Sequence, residues 1–225
     1  MKVQSRLIKV RAPRQPDAAV LVLHGGASRR DHTMVSPTQL SVLRMVPIAN
    51  RVASAGGGRL AVFRLLNSAR GWDTSHTPVA DVQWALGEVR ARYPDGLPIG
   101  LVGHSLGGRA ALLAGGAEPV RSVVALAPWL YPSDVNPELA GRRVLIVHGD
   151  QDRIASPASS AAVARAISRF TEVGYISVQG GKHAMLRHHR RFDGLAADFM
   201  AATLLGRPAR GPVAEILAGT SRVEV

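Results

Sequence analysis

The chain has 225 residues, no cysteine, and 28 Lys and Arg against 16 Asp and Glu, for a formal charge of +12. That length supplies one substantial core and is short for two domains, and a 46% hydrophobic, 20% charged composition excludes a disordered chain. Lack of cysteine excludes disulfides and thiolate metal sites.

No apolar run approaches the roughly 20 residues needed to cross a bilayer. The start, Met1-Lys2-Val3-Gln4-Ser5-Arg6-Leu7, has charge but no apolar core and no small-residue cleavage site, so it does not read as a secretory signal. A cytoplasmic location is expected. The positive charge is almost all Arg, scattered along the chain, and only Arg187-His188-His189-Arg190-Arg191 forms a dense run. No aromatic residues interleave with it, as a single-strand nucleic-acid binder would need, so it reads as a solvated face rather than a nucleic-acid site. Its closeness to His183 predicts a pocket mouth that favours anionic substrates.

In chain order, Leu7 to Val10 reads as an edge strand ended by Pro13 and Pro16. Ala18 to Leu23 is a continuous apolar run, as a parallel strand buried on both faces requires, and it stops at His24-Gly25-Gly26-Ala27. Glycines there let a backbone N–H turn inward toward a substrate oxygen; a plain strand-to-loop turn is the alternative. Arg29, Arg30, Asp31 and His32 follow in a loop and read as solvated. Gln39 to Ala55 reads as a helix stopped by Gly56-Gly57-Gly58, with Pro47 predicting a kink or two shorter helices. Leu60 to Phe63 is the next strand. A polar loop from Asn67 to Thr77 carries Trp72 and leads into a helix from Val79 to Tyr93, whose Val82, Ala85, Leu86 and Val89 share one face.

The run Ile99 to Gly108 again reads as a buried strand, and it carries the turn Gly103-His104-Ser105-Leu106-Gly107. Glycines on either side allow a turn tight enough to set Ser105 on its apex, with a helix following at once. Ala110, Ala111, Ala114 and Gly115 let that helix lie close to the sheet. The turn exposes the serine oxygen and aims the Leu106 N–H at whatever that oxygen attacks.

Ser122 to Leu126 is the next strand, and Trp129 and Tyr131 leave its C-terminal end, where open α/β sheets place ligands. Packing is the alternative role for both. Only a short segment, Pro132 to Arg143, precedes the strand Val144 to Val147, which leaves little room for an inserted lid and predicts an open pocket. That strand runs into His148-Gly149-Asp150-Gln151-Asp152-Arg153-Ile154, with two carboxylates past the sheet edge. Ser156 caps and Pro157 starts the next helix. Val173 to Val178 is a last strand, followed by Gly180-Gly181-Lys182-His183. A helix from about His189 to Leu204 closes the regular pattern. After Gly206 the tail, with Pro208, Gly211, Pro212 and Gly219, is expected to fray in part.

Strands and helices thus alternate throughout, which predicts one α/β domain over residues 1–225: a mainly parallel central sheet with helices on both faces. Ser105, Asp152 and His183 each follow a predicted strand and are expected to meet at one edge of the sheet. A serine hydroxyl is a poor nucleophile until a base within hydrogen-bond reach takes its proton. Histidine can do so, and a carboxylate fixes its tautomer.

The order Ser, acid, His, together with the Gly103–Gly107 turn, the His24-Gly25-Gly26 turn, the His148-Gly149 turn bearing Asp152, and Gly181 with His183, resembles the α/β-hydrolase superfamily over about Leu21 to Leu204. The resemblance implies a compact serine hydrolase without a large lid. It makes Ser105 the nucleophile, His183 the general base and then acid, and Asp152 the orienting carboxylate, with Asp150 as the alternative acid. Leu106 N–H would hold the oxyanion with Gly26 N–H, or with Ala27 N–H as the alternative. Trp72, Trp129 and Tyr131 are the pocket candidates. His24, His104 and His148 are expected as turn or packing residues, and neither metal nor cofactor is implied. The function implied is carboxylesterase-like cleavage of a small ester or thioester through an acyl-enzyme; a ligand-binding protein of the same fold with little turnover is the alternative.

Overall fold

The computed structural model describes residues 4–26, 35–69, 72, 76–93 and 96–225. Ala27 and the loop residues Arg29, Arg30, Asp31 and His32 lie outside the described residues. The strands are β1 (Arg6–Arg11), β2 (Ala18–Leu23), β3 (Leu60–Leu66), β4 (Ile99–His104), β5 (Val120–Leu126), β6 (Arg143–Gly149), β7 (Glu172–Val178) and β8 (Arg222–Glu224). They form one eight-stranded sheet in the order β1-β3-β2-β4-β5-β6-β7-β8. β1 runs antiparallel to β3, and every other pairing is parallel.

Interior parallel strands need apolar side chains on both faces, and β2 and β4 are buried at every position. Their period of two sorts those side chains into two cores. Leu21, Leu101, Val123 and Ile146 pack beneath α3 (Thr77–Arg92), α4 (Leu106–Ala114) and α5 (Pro157–Ile167). Val20, Val102, Val124 and Leu145 face α2 (Met45–Ala55), α6 (His189–Leu205) and α7 (Gly211–Leu217).

The expected helix over Gln39 to Ala55 is broken at Arg44 into α1 (Leu40–Leu43) and α2. The break lies ahead of Pro47 because a proline ring collides with the carbonyl four residues earlier, that of Leu43, and its missing N–H costs nothing in a first turn. The tail corrects an expectation. Instead of fraying after Gly206, it forms α7 and β8, and β8 extends the sheet alongside β7. Val213, Ile216 and Val223 are buried, so apolar burial holds a segment that its prolines and glycines only punctuate.

Two features of the sheet position the site. The chain leaves β2 for β3 on one side and returns to β4 on the other, so the crevice at the C-terminal ends of β2 and β4 is a topological switch point. The β5–β6 connection, where a lid would be inserted, holds only two 3-10 turns, Pro132–Asp134 and Pro137–Leu139.

Candidate active site

Ser105 stands between β4 and α4 at φ 56°, ψ −120°, a region that L-residues avoid. The strain is held by close packing around it. A Cβ on Gly107 would stand 2.6 Å from the His24 carbonyl oxygen, and one on Gly103 would collide with the Gly107 backbone. Glycine is therefore required on both sides for α4 to press against the ends of β2 and β4. The Ser105 amide donates to Leu126 O at 2.9 Å, tying the turn to β5.

His183 Nε2 lies 2.9 Å from Ser105 Oγ, and His183 Nδ1 lies 2.8 Å from Asp152 Oδ2. The turns after β6 and β7 are locked together, since a Cβ on Gly149 would come within 2.7 Å of the Gly181 Cα and Gln151 N donates to Gly181 O at 3.0 Å. That contact brings residues 31 positions apart into one hydrogen bond. Asp152, and not the exposed Asp150, is the carboxylate that meets His183.

Burial acts to raise the Asp152 carboxyl. Bonds from His148, His183 and the Ile154 and Ala155 amides outweigh it and hold the group well below the usual carboxylate range. Asp152 is an acceptor-only anion, so His183 donates through Nδ1 and its Nε2 is free to accept from Ser105.

On the other side of Ser105, a Cβ placed on Gly25 would stand 3.0 Å from that of Ser105, so the His24-Gly25-Gly26 turn runs directly beside it. His24 Nε2 accepts from Asn67 N at 3.2 Å, leaving Nδ1 to donate to Gly25 O at 2.6 Å. The peptide is planar and trans, so a fixed Gly25 carbonyl also fixes the direction of the Gly26 N–H. Leu106 opens α4, and the first N–H groups of a helix have no partner within it.

Several neighbours carry more than the sequence signalled. His104, adjacent to Ser105, donates through Nε2 to His183 O at 2.9 Å, and their rings lie 5.1 Å apart. Burial, then the nearby His183, lowers its pKa to about 3, so it stays neutral. Arg44, at the α1–α2 break, donates to Ala184 O at 3.1 Å and pairs with buried Asp193 on α6, clamping the His183 loop from outside. His148 bonds Asp152 rather than only packing.

Trp72 and Tyr131 flank Arg109, one turn along α4 from Ser105. Its guanidinium lies 4.3 Å from the Trp72 ring centre and 4.9 Å from that of Tyr131, and it chelates Asp134 through two bonds of 2.8 and 2.9 Å. Trp129 Nε1 donates to the Tyr131 hydroxyl, and Trp129 N to Ser105 O. Arg187, Arg190 and Arg191 are exposed at the start of α6. Among the described residues no group of three His, Asp or Glu is placed to hold a metal ion.

This sheet, with its serine turn at the β2/β4 crevice, is the α/β-hydrolase fold. No family sequence model matches the chain, and no curated protein sequence does. Solved structures do. A structure from Xanthomonas campestris, XC6422, described as an α/β serine hydrolase without lid, is similar at TM-score 0.66 and 18% identity, over 92% of this chain and 99% of that one. Est1E from Butyrivibrio proteoclasticus is similar at TM-score 0.64 and 16% identity, over 89% and 94%. The Pyrococcus furiosus esterase Pf2001 gives 0.67 and 14%, over 90% and 93%. At these identities the likeness is one of fold.

Proposed function

We propose that the protein is a serine hydrolase that cleaves small esters or thioesters through an acyl-enzyme intermediate, with Ser105, His183 and Asp152 as its catalytic triad. The observation that carries this is the unbroken relay from Ser105 Oγ to His183 at 2.9 Å and from His183 to Asp152 at 2.8 Å. In the first half-reaction His183 Nε2 takes the Ser105 proton while Oγ bonds to the carbonyl carbon. The N–H groups of Leu106 and Gly26 receive the oxyanion, helped by the positive end of α4. Asp152 stays ionised and stabilises the imidazolium, which then protonates the leaving alkoxide or thiolate. In the second half-reaction water attacks the acyl group, gives its proton to His183, and Ser105 leaves with that proton.

The short β5–β6 connection supports an open, carboxylesterase-like site for small acyl groups, walled by Trp72, Trp129 and Tyr131. Neighbours described as esterases favour an ester over an amide. No helix among the described residues is long and apolar enough to cross a membrane, and the cysteine-free composition supports a cytoplasmic setting.

Hydrolysis of p-nitrophenyl esters of increasing chain length tests the reading. Turnover is expected in the parent and is expected to vanish in Ser105→Ala. Turnover that survives Ser105→Ala overturns the assignment.

A further inference from the structure

His148 stands at the next-to-last position of β6, fully buried, just ahead of the turn that carries Asp152. Both of its ring nitrogens are engaged. Nε2 lies 3.0 Å from Asp152 Oδ2 and Nδ1 lies 2.7 Å from Ser160 Oγ on α5. The oxygen that His148 reaches is the same Oδ2 that takes His183 Nδ1 at 2.8 Å. A carboxylate has no proton to give, so two imidazoles donate to one oxygen.

Further partners complete the network. Oδ1 of Asp152 accepts from the Ile154 and Ala155 amides at 2.8 and 3.0 Å, so four donors hold this one carboxylate. Nδ1 of His148 meets Ser160 Oγ, which also lies 3.1 Å from Pro157 O. The Tyr175 hydroxyl donates to Pro157 O at 3.2 Å. Each of these side chains, from Tyr175 to Ser105, thus has a hydrogen-bond partner.

We propose that His148 is a positioning residue of the relay: its Nε2–H pins Asp152 Oδ2 against His183 and, by sharing that oxygen's charge, keeps His183 less basic than an unshared carboxylate would. The proposal rests on the serine-hydrolase reading above. Attraction to a carboxylate favours the protonated imidazole, and a second donor on the same oxygen reduces what His183 receives. An apolar side chain in this fully buried place would strip Oδ2 of one donor.

The titratable groups around His148 are few. Asp152 and His183 face it from their turns and Tyr175 from β7, where burial pushes the phenol up and keeps it protonated. Arg222 lies beyond, 5.5 Å from the Tyr175 ring centre, with Arg165 also near that phenol. His183 itself is faced by the neutral His104 from β4, with the rings 5.1 Å apart, and by Arg44, which bonds the adjacent Ala184 carbonyl.

The test is the pH profile of kcat/KM on p-nitrophenyl acetate for the parent, His148→Leu, His148→Gln and Ser160→Ala. Leucine keeps bulk without the N–H, whereas glutamine keeps an N–H at a similar reach. His148→Leu is expected to move the acidic limb upward by about half to one pH unit, the scale of one ordinary hydrogen bond, and to lower kcat at neutral pH. His148→Gln is expected to restore both toward the parent. Ser160→Ala, which leaves β6 intact, is expected to shift the limb in the same direction by less, and it serves if His148→Leu fails to fold. A folded His148→Leu, or a folded Ser160→Ala, with the parent limb overturns the proposal and makes His148 a packing residue. So does a glutamine variant no closer to the parent than leucine.

The imidazole N–H spectrum of the 15N-labelled protein reads the same contact without turnover. Two carboxylate-bound imidazole N–H signals are expected in the parent, with one lost and the His183 signal displaced in His148→Leu. A displaced signal with no esterase activity in the parent would sink the serine-hydrolase reading and leave the His148 contact standing. An undisplaced signal in an active enzyme sinks the proposal alone.

Discussion

Ser105 at φ 56°, ψ −120° is held where glycine rests without strain and serine does not. Such a residue costs about 1–3 kcal/mol, so the fold gives up stability to present this oxygen. Comparing Ser105→Gly with Ser105→Ala isolates that cost. Both lose the 2.9 Å bond to His183, but only glycine sheds the Cβ that causes the strain. Glycine's freedom in the unfolded chain takes back about 0.5–1 kcal/mol, leaving the Gly variant ahead of the Ala variant by up to about 2.5 kcal/mol. For a chain of this size the difference is up to about 10 °C in Tm. Calorimetry on the two variants measures it, with urea midpoints as a second readout. An alanine variant more stable than the glycine variant would refute the claim that the serine turn stores strain.

The Arg109–Asp134 pair is buried, with side-chain exposures of 12% and 3%, so Asp134→Asn should cost about 3–5 kcal/mol in urea denaturation by leaving Arg109 uncompensated. Arg109→Lys should not restore the parent, since an ammonium has neither the two-pronged fork nor the flat face that meets Trp72 and Tyr131. His104 is neutral in the fold at about 3 but charges below its ordinary 6.5 when unfolded. Its contribution is therefore intact above pH 6.5 and is lost as pH falls toward 3, by about 1.4 kcal/mol per pH unit. Urea midpoints between pH 7.5 and 4.5 should fall less steeply in His104→Gln, and an unchanged slope removes His104 from the account. Lys182 and Arg187 are exposed beside the His183 turn, so carboxylate-bearing esters should show lower KM than neutral ones at low salt; equal values end that expectation.

The elements that are legible in this sequence are those with a short-range cause. The uninterrupted apolar runs of β2 and β4 announce parallel strands buried on both faces, and Gly103-x-Ser105-x-Gly107 announces a turn only glycine can make. Asp152 and His183 are legible because each follows a strand, and parallel strands deliver their ends to one edge. The order of strands is not legible, since apolar runs of similar length carry no mark of which pairs with which. Arg44–Asp193 and Arg109–Asp134 escape for a related reason: their partners sit on other elements, and no local period links them. His148 escapes although Asp152 is four residues on, because a strand running into a turn has no period that points one side chain back at another. In the tail, Pro212 and Gly219 looked like breakers. Proline sits near the N-terminus of α7 and glycine beyond its C-terminal cap, where each is tolerated.

Reaction with a fluorophosphonate, followed by intact mass and peptide mapping, tests the central claim most directly. One adduct per chain is expected, on Ser105, absent in Ser105→Ala and much slower to form in His183→Ala. A folded parent that stays unmodified, or that carries its adduct on another residue, contradicts it.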